Sequence, residues 1–279
     1  MQISHLRDIA LLDPNVTAFL AGDELRNNLP VGILERLTQD SSRYTDYHLF
    51  VVEDAGRPLA YAHLTPPHPL CLAEGEEAAL VFLAQYLKTS NFPLLSLQGS
   101  VRSLETFLKA WPELKAKVIT EDRQGLYQLK QVTMPPATGA IWEVARLEHL
   151  DVYAEWLQKF CEDIGEPSED FEACKSGQRQ RIEAGDLYCM TIAAQPVAMT
   201  VAGRRLPHGR TLGQVYTPPR YRGKGYASEL VARLSAHLLG SGFDYCALFT
   251  QMSNPTSNRI YQRMGYVWVD EFYMLRFAP

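Results

Sequence analysis

A chain of 279 residues, 46% hydrophobic and 21% charged, lies inside the globular range and is long enough for two domains with separate cores. Its formal net charge of -5 argues against a general nucleic-acid binder, because phosphate neutralisation needs a basic face. No stretch reaches the roughly 18 consecutive apolar residues of a membrane helix, and the first residues, MQISHLRDIALLDPN, lack the apolar core and cleavage site of a secretory signal, so the cytoplasm is the expected compartment.

Taken in chain order, the apolar spacing predicts helical material to about residue 40 and strands near DYHLFVVED and RPLAYAHL. A helix near EEAALVFLAQYL follows, then a strand at PLLSLQ, a helix at VRSLETFLKAW and extended chain to about residue 130. QVTMPPATGA, residues 131–140, has two prolines, a glycine and small polar residues, the composition of a linker. The expected division is therefore a domain over 1–131, a linker over 132–140 and a second domain over 141–279.

Beyond the linker the pattern predicts a strand at IWEVARL, a helical pair from about 148 to 184, and strands at LYCMTIAA and PVAMTVAGRR. A further strand ends at GQVYT, and helix, strand, helix and strand then alternate to the C-terminus. This order repeats that of the first half. LSLQGSVRSLETFLKAW and LFTQMSNPTSNRIYQRM have equal length, and each runs from an apolar strand through Gln98 or Gln251 into a helix, as in a duplicated domain. Tyr188, Met190, Met199, Trp142 and Trp156 fall in apolar patterns that burial alone explains.

Five cysteines, Cys71, Cys161, Cys174, Cys189 and Cys246, are odd in number, widely spaced and without a C-x-x-C pair, so they indicate neither a disulfide framework nor a zinc site. The seven histidines are scattered, and no metal is expected.

The sharpest feature is PPRYRGKGYASELVARL, Pro218 to Leu234. Gly223 and Gly225 precede a helical run with Ala227, Leu230, Val231 and Leu234 on one face, and Arg220, Arg222 and Lys224 supply positive charge. A helix N-terminus offers amides without internal partners, and glycines let an anion approach them. Between Leu187 and Ser228 there are six Lys or Arg residues and no Asp or Glu, so a local anion site sits within an acidic whole. The P-loop pattern fails, because Gly225 follows Lys224 where Ser or Thr is required. The dinucleotide fingerprint fails as well, with Ser228 in its third glycine place. In the first half the corresponding stretch, PPHPLCLAEGEEAAL, has three prolines and the acids Glu74, Glu76 and Glu77, which disfavour an anion.

Arg220 to Gly225 spell R-x-x-G-x-G directly after the strand QVYT, and SNPTSNRIYQRMGY follows the strand CALFT. In these two landmarks, their order and their separation, most of residues 141–279 resembles the GNAT superfamily of acetyl-CoA-dependent N-acetyltransferases. The resemblance implies an α/β (α+β) fold of two GNAT-like domains, each a mixed, mostly antiparallel sheet flanked by helices, the N-terminal one degenerate. It implies acetyl-CoA as co-substrate, with backbone groups of Val215, Tyr216 and Thr217 on the pantetheine arm. Amides of Arg222, Gly223, Lys224, Gly225, Tyr226 and Ala227 would wrap the pyrophosphate beside Arg220.

By the same resemblance the helix carrying Asn254, Asn258 and Tyr261 meets the cofactor, with Tyr261 as general acid for the departing thiolate. Asn254 and Pro255 also suit the N-cap and first position of that helix. CEDIGEPSEDFEAC would border the acceptor, and Glu166 is its candidate base. The expected activity is direct acetyl transfer to a primary amine, on a small molecule or a protein, in a ternary complex. The expectation includes no nucleic acid, no membrane, and a monomer or homodimer; the alternative is a non-catalytic acyl-CoA sensor or scaffold.

Overall fold

The computed structural model describes residues 1–166 and 168–278. The chain divides into two compact units, Met1–Leu126 with Val269–Pro279, and Tyr127–Trp268.

The first unit contains β1 (Gln2–Leu6), α1 (Pro14–Ala21), α2 (Asn28–Gln39), β2 (His48–Asp54), β3 (Arg57–Leu64), β4 (Leu70–Leu72) and α3 (Glu77–Thr89). It continues through β5 (Ser96–Ser100), α4 (Val101–Ala110), α5 (Pro112–Lys115) and most of β6 (Val118–Leu129). The sequence predicts only helix at the start, but Gln2–Leu6 pair antiparallel with Leu49–Glu53. Tertiary pairing sets that segment's conformation where local pattern is weak. Leu80, Leu83, Leu87 and Phe107 fill the core of this unit, each at most 1% exposed.

The second unit contains β7 (Ile141–Val144), α6 (Leu150–Ile164), α7 (Phe171–Glu183), β8 (Leu187–Ile192), β9 (Gln195–Arg205) and β10 (Gly209–Tyr216). α8 (Tyr226–Gly240), β11 (Tyr245–Gln251) and α9 (Pro255–Arg263) follow, and then β12 (Val267–Phe277) begins. Met190, Ala198 and Leu212 pack with α8 residues Leu230, Val231 and Leu234. The neighbouring Cys189 and Met199 pack instead with Tyr153 and Trp156 of α6. Alternate strand residues thus serve opposite faces, and each buried Leu or Val contributes about 1.5–3 kcal/mol. Trp156 meets Tyr153 edge-on at 5.9 Å within the core of this unit, and the half-buried Trp142 packs against the core, stacking on Tyr188 at 5.4 Å.

The pairing senses of the two halves match. β1–β2–β3–β4 and β7–β8–β9–β10 are antiparallel neighbours, whereas β4–β5 and β10–β11 are parallel. The C-terminus departs from the expected division at residue 141: from Val269 onward the chain belongs to the first unit, where Phe272–Arg276 pair with Ser96–Ser100. Leu275 and Phe277 are buried in that unit's core. This allegiance rests on pairing with a strand some 175 residues away in sequence, to which local periodicity is blind.

The stretch 131–140 carries no regular element, yet it is bonded to the second unit. Thr133 N–H donates to Met264 O at 2.8 Å and Thr138 N–H to Glu229 Oε2 at 2.7 Å. Among the described residues no helix is long and apolar enough to cross a membrane.

Candidate active site

β10 and β11 pair in parallel from Gly209–Leu212 against Tyr245–Leu248; that ladder stops there, although the strands run on to Tyr216 and Gln251. On its other side β10 advances three residues, Gly213 to Tyr216, while β9 advances two, Val201 to Met199. This is a β-bulge, and Gln214 within it has φ +50°, uncommon for a residue with a Cβ. A bulge bends its strand, so the end of β10 parts from β11 and leaves a strand edge beside Val215, Tyr216 and Thr217.

Directly beyond lies the glycine loop. Pro219–Tyr221 make one 3-10 turn, after which Gly223 and Gly225 take φ +76° and +86° and α8 begins at Tyr226. Arg222 N–H donates to Pro219 O at 3.2 Å, so this amide, expected in the pyrophosphate cradle, is already bonded. The first helical bond of α8 is Glu229 N–H to Gly225 O at 3.0 Å. Among the described residues, the amides of Gly223, Lys224, Gly225, Tyr226, Ala227 and Ser228 donate to no protein acceptor. Nothing lies within 4 Å of where a Cβ on Gly223 would stand. Six amides at the positive end of a 15-residue helix, with open space at Gly223, make an arrangement suited to an anion.

The three cations divide their work. Arg220 and Lys224 flank the Tyr221 ring at 4.9 and 5.8 Å, and neither makes an ion pair with a described residue. Arg222 is already engaged: Nε donates to Thr217 O at 2.9 Å, Nη2 to Asp163 Oδ2 at 2.5 Å, and the guanidinium stands 5.8 Å over Tyr216. The carbonyl of Thr217, expected on the pantetheine arm, therefore serves Arg222. Tyr226 contributes only its backbone, because its side chain is buried in the α8 core.

On the opposite lip, Asn254 caps α9, its Oδ1 accepting from Ser257 N–H at 3.0 Å, with Pro255 at the first helical position. Asn258 Nδ2 donates to Gln251 O and Asn254 O at 3.0 and 2.8 Å, which fixes α9 to the end of β11. Asn258 Oδ1 and Thr217 Oγ1 are buried and lack protein partners. Such orphans in a native fold call for a ligand or water. Tyr261 is 8% exposed and meets Tyr266 edge-on at 5.9 Å; burial pushes its hydroxyl pKa up to about 12, so it is protonated at neutral pH.

The end of α6 is bonded to both lips. Asp163 holds Arg222 beyond β10, and Ile164 O accepts from Gln251 Nε2 of β11 at 2.7 Å. Glu166 stands just past Gly165, which ends α6 in the left-handed conformation, and its amide donates to Cys161 O. Burial, and then the charge of Glu166, push the Cys161 thiol up. The acidic segment thus borders the parting of the strands. Sequence reasoning missed the Asp163–Arg222 pair, because 59 residues separate its members, and also Gln178 of α7, whose Nε2 lies 3.3 Å from Gln214 Oε1. Among the described residues no group of three His, Cys, Asp or Glu side chains is placed to hold a metal ion.

The fold is a mixed sheet flanked by helices, with a parting between parallel strands and an amide cradle at one helix N-terminus. Residues 150–266 match the sequence model of the Acetyltransferase (GNAT) family.

Solved structures of like fold include a GNAT-family acetyltransferase from Colwellia psychrerythraea, at 12% identity and TM-score 0.61, covering 100% of both chains. A GCN5-related N-acetyltransferase from Sphaerobacter thermophilus aligns at 14% identity and TM-score 0.64, covering 98% of this chain and 95% of that one. A tandem GNAT protein from the clavulanic acid biosynthesis pathway aligns at 13% identity and TM-score 0.58, covering 100% and 99%. At these identities the likeness is one of fold. No curated protein matches the sequence.

Proposed function

We propose that the second unit transfers the acetyl group of acetyl-CoA to a primary amine by direct attack. The observation that carries this reading is the row of six unbonded amides, Gly223 to Ser228, at the mouth of the parting between β10 and β11. The cradle suits a diphosphate, and the edge of β10 suits an amide-rich arm in the manner of an added strand. The orphaned Thr217 Oγ1 and Asn258 Oδ1 fit polar groups of the same ligand. Arg220 and Lys224 add the charge that the paired Arg222 withholds.

Acetyl-CoA supplies a thioester acyl carbon; the protein's part is to position it, take one proton and give another. The acidic segment that includes Glu162, Asp163 and Glu166 attracts a cationic amine, and Glu166 accepts its proton so that a lone pair reaches the carbonyl. As the C–N bond forms and the C–S bond breaks, the Tyr261 hydroxyl donates its proton to the departing thiolate, and the second proton lost by the amine nitrogen returns through water to the Tyr261 oxygen. In this reading the first unit is a repeat that has lost its anion site. Its equivalent amides are occupied, Glu74 N–H by Asn27 Oδ1 at 2.8 Å and Glu76 N–H by Leu59 O at 2.9 Å. The Glu74 carboxylate fills the space, accepting from the Ser100 and Ser103 hydroxyls. The same tandem arrangement is named in the clavulanic acid pathway protein.

A thermal-shift titration with acetyl-CoA, followed by a thiol-release assay over small amines and amine-bearing peptides, tests the reading. Ligand at a hundredfold excess over Kd should stabilise the fold by about 2.7 kcal/mol, and at least one amine should release thiol. Stabilisation without release on any amine would turn the reading toward a sensor. No stabilisation would end it.

A further inference from the structure

Glu229, in the first turn of α8, is 1% exposed, yet the chemistry proposed above makes no use of it. A carboxylate there suits the helix dipole but opposes an anion docked at the same terminus. Its charge is directed elsewhere: Oε2 accepts Thr138 N–H at 2.7 Å, while Oε1 accepts Arg233 Nε at 2.8 Å and Nη2 at 2.7 Å. These bonds hold its pKa below the ordinary carboxylate range against burial, which pushes the other way.

Thr138 belongs to the stretch between the halves that reads in sequence as a linker. Its methyl carbon lies 3.2 Å from where a Cβ on Gly225 would stand, directly behind the αL residue that opens α8. The other end of the stretch is fastened beside α9. Thr133 N–H bonds Met264 O at 2.8 Å, and a Cβ on Gly265 would come within 2.8 Å of Gln131 O. Val132 and Ala140 pack on the core that contains Tyr226 and Tyr261.

We propose that residues 131–140 form a strap that holds the cofactor loop in its binding shape, with Glu229 and Thr138 as positioning residues for the diphosphate cradle. The inference rests on the acetyl-CoA reading. Gly223 and Gly225 have positive φ; nothing lies within 4 Å of where a Cβ on Gly223 would stand, whereas Gly225 abuts Thr138, so the loop takes its backing from the side of the strap. The strap provides that backing through one buried carboxylate and one methyl contact. By linkage, a ligand that requires the shaped loop must also tighten the strap.

The test combines calorimetric titration of CoA with amide hydrogen exchange at Thr138. In the unmodified protein, saturating CoA should slow exchange of the Thr138 amide. Thr138→Pro, which removes the donor to Glu229, and Glu229→Gln, which removes its charge, should each raise the Kd for CoA by roughly tenfold. Thr138→Gly keeps the donor and loses the methyl, so it guards against a misfolded variant and should weaken binding by a smaller factor. The KM for acetyl-CoA should rise by more than kcat falls, a split that a general loss of fold would not give. Wild-type Kd values in folded Thr138→Pro and Glu229→Gln, or Thr138 exchange indifferent to bound CoA, would overturn the strap and leave the cofactor reading intact. Failure of the unmodified protein to bind CoA would overturn both.

Discussion

Gly223 carries the most local claim. Its φ of +76° costs an L side chain roughly 1–2 kcal/mol, and a side chain there would project into open space in front of the amides. Gly223→Val should therefore fold with a modest loss of stability and lose CoA binding; CoA binding retained at the wild-type Kd would remove the loop from the site. Tyr261 makes a second claim at this scale. Tyr261→Phe should lower kcat by about a hundredfold or more with little change in KM for acetyl-CoA. With its pKa raised to about 12, Tyr261 stays protonated well past neutrality, so its ionisation should not set a basic limb of the rate profile below about pH 10. A profile falling near pH 8 in wild type but flat in the Phe variant would contradict that assignment. The glycines, Asn254 and Tyr261 are legible in the sequence because cap, spacing and positive φ are local demands. Gln214 is not, since nothing in GQVYT signals a bulge; the extra residue appears only when β10 is laid against β9.

At the scale of elements, the site is made by β10 and β11 parting, and by α6 reaching across that parting. The strand–loop–helix order was readable from QVYTPPRYRGKGY, whereas the bonds of α6 to both lips join residues 59 and 87 apart. The Asp163–Arg222 pair is half exposed and contributes little to stability, on the order of 0–1 kcal/mol. Its role is to occupy Arg222. Asp163→Ala should leave the melting point nearly unchanged and tighten CoA binding several-fold, because the released guanidinium becomes available to the diphosphate. Weaker CoA binding in that variant would show instead that the pair shapes the loop. The same competition predicts that added salt, which screens exposed pairs, alters the CoA affinity of wild type and Asp163→Ala differently.

At the scale of the whole molecule, the duplicated order of strands and helices was visible in the sequence, and the pairing senses of the two halves agree with it. The allegiance of the last strand was hidden: VWVDEFYMLRF reads as a strand wherever it pairs, and its partner Ser96–Ser100 lies in the other half of the chain. The stretch 131–140 has the composition of a free linker, and only its bonds to Met264 and Glu229 show otherwise. A global consequence follows from burial in the second unit. Burial raises Cys189 from 9.0 to about 11, Cys246 from 9.0 to about 12, and Tyr261 from 10.0 to about 12. Between each ordinary value and the raised one, the unfolded chain releases a proton that the folded chain keeps, so stability falls as pH rises. Each group contributes about 1.4 kcal/mol per pH unit within its window. Denaturant melts should show stability declining from about pH 9 upward, and Cys246→Ser should reduce that slope; a flat profile to pH 11 would contradict the burial of these groups.

The central claim is that the amides of Gly223 to Ser228 hold a diphosphate. Calorimetric titration of CoA against pantetheine, the same arm without the diphosphate, tests it most directly. The account predicts one CoA site per chain and pantetheine binding at least about a hundredfold weaker, a difference of about 2.7 kcal/mol. Equal affinity for the two, or no heat with CoA, would contradict it.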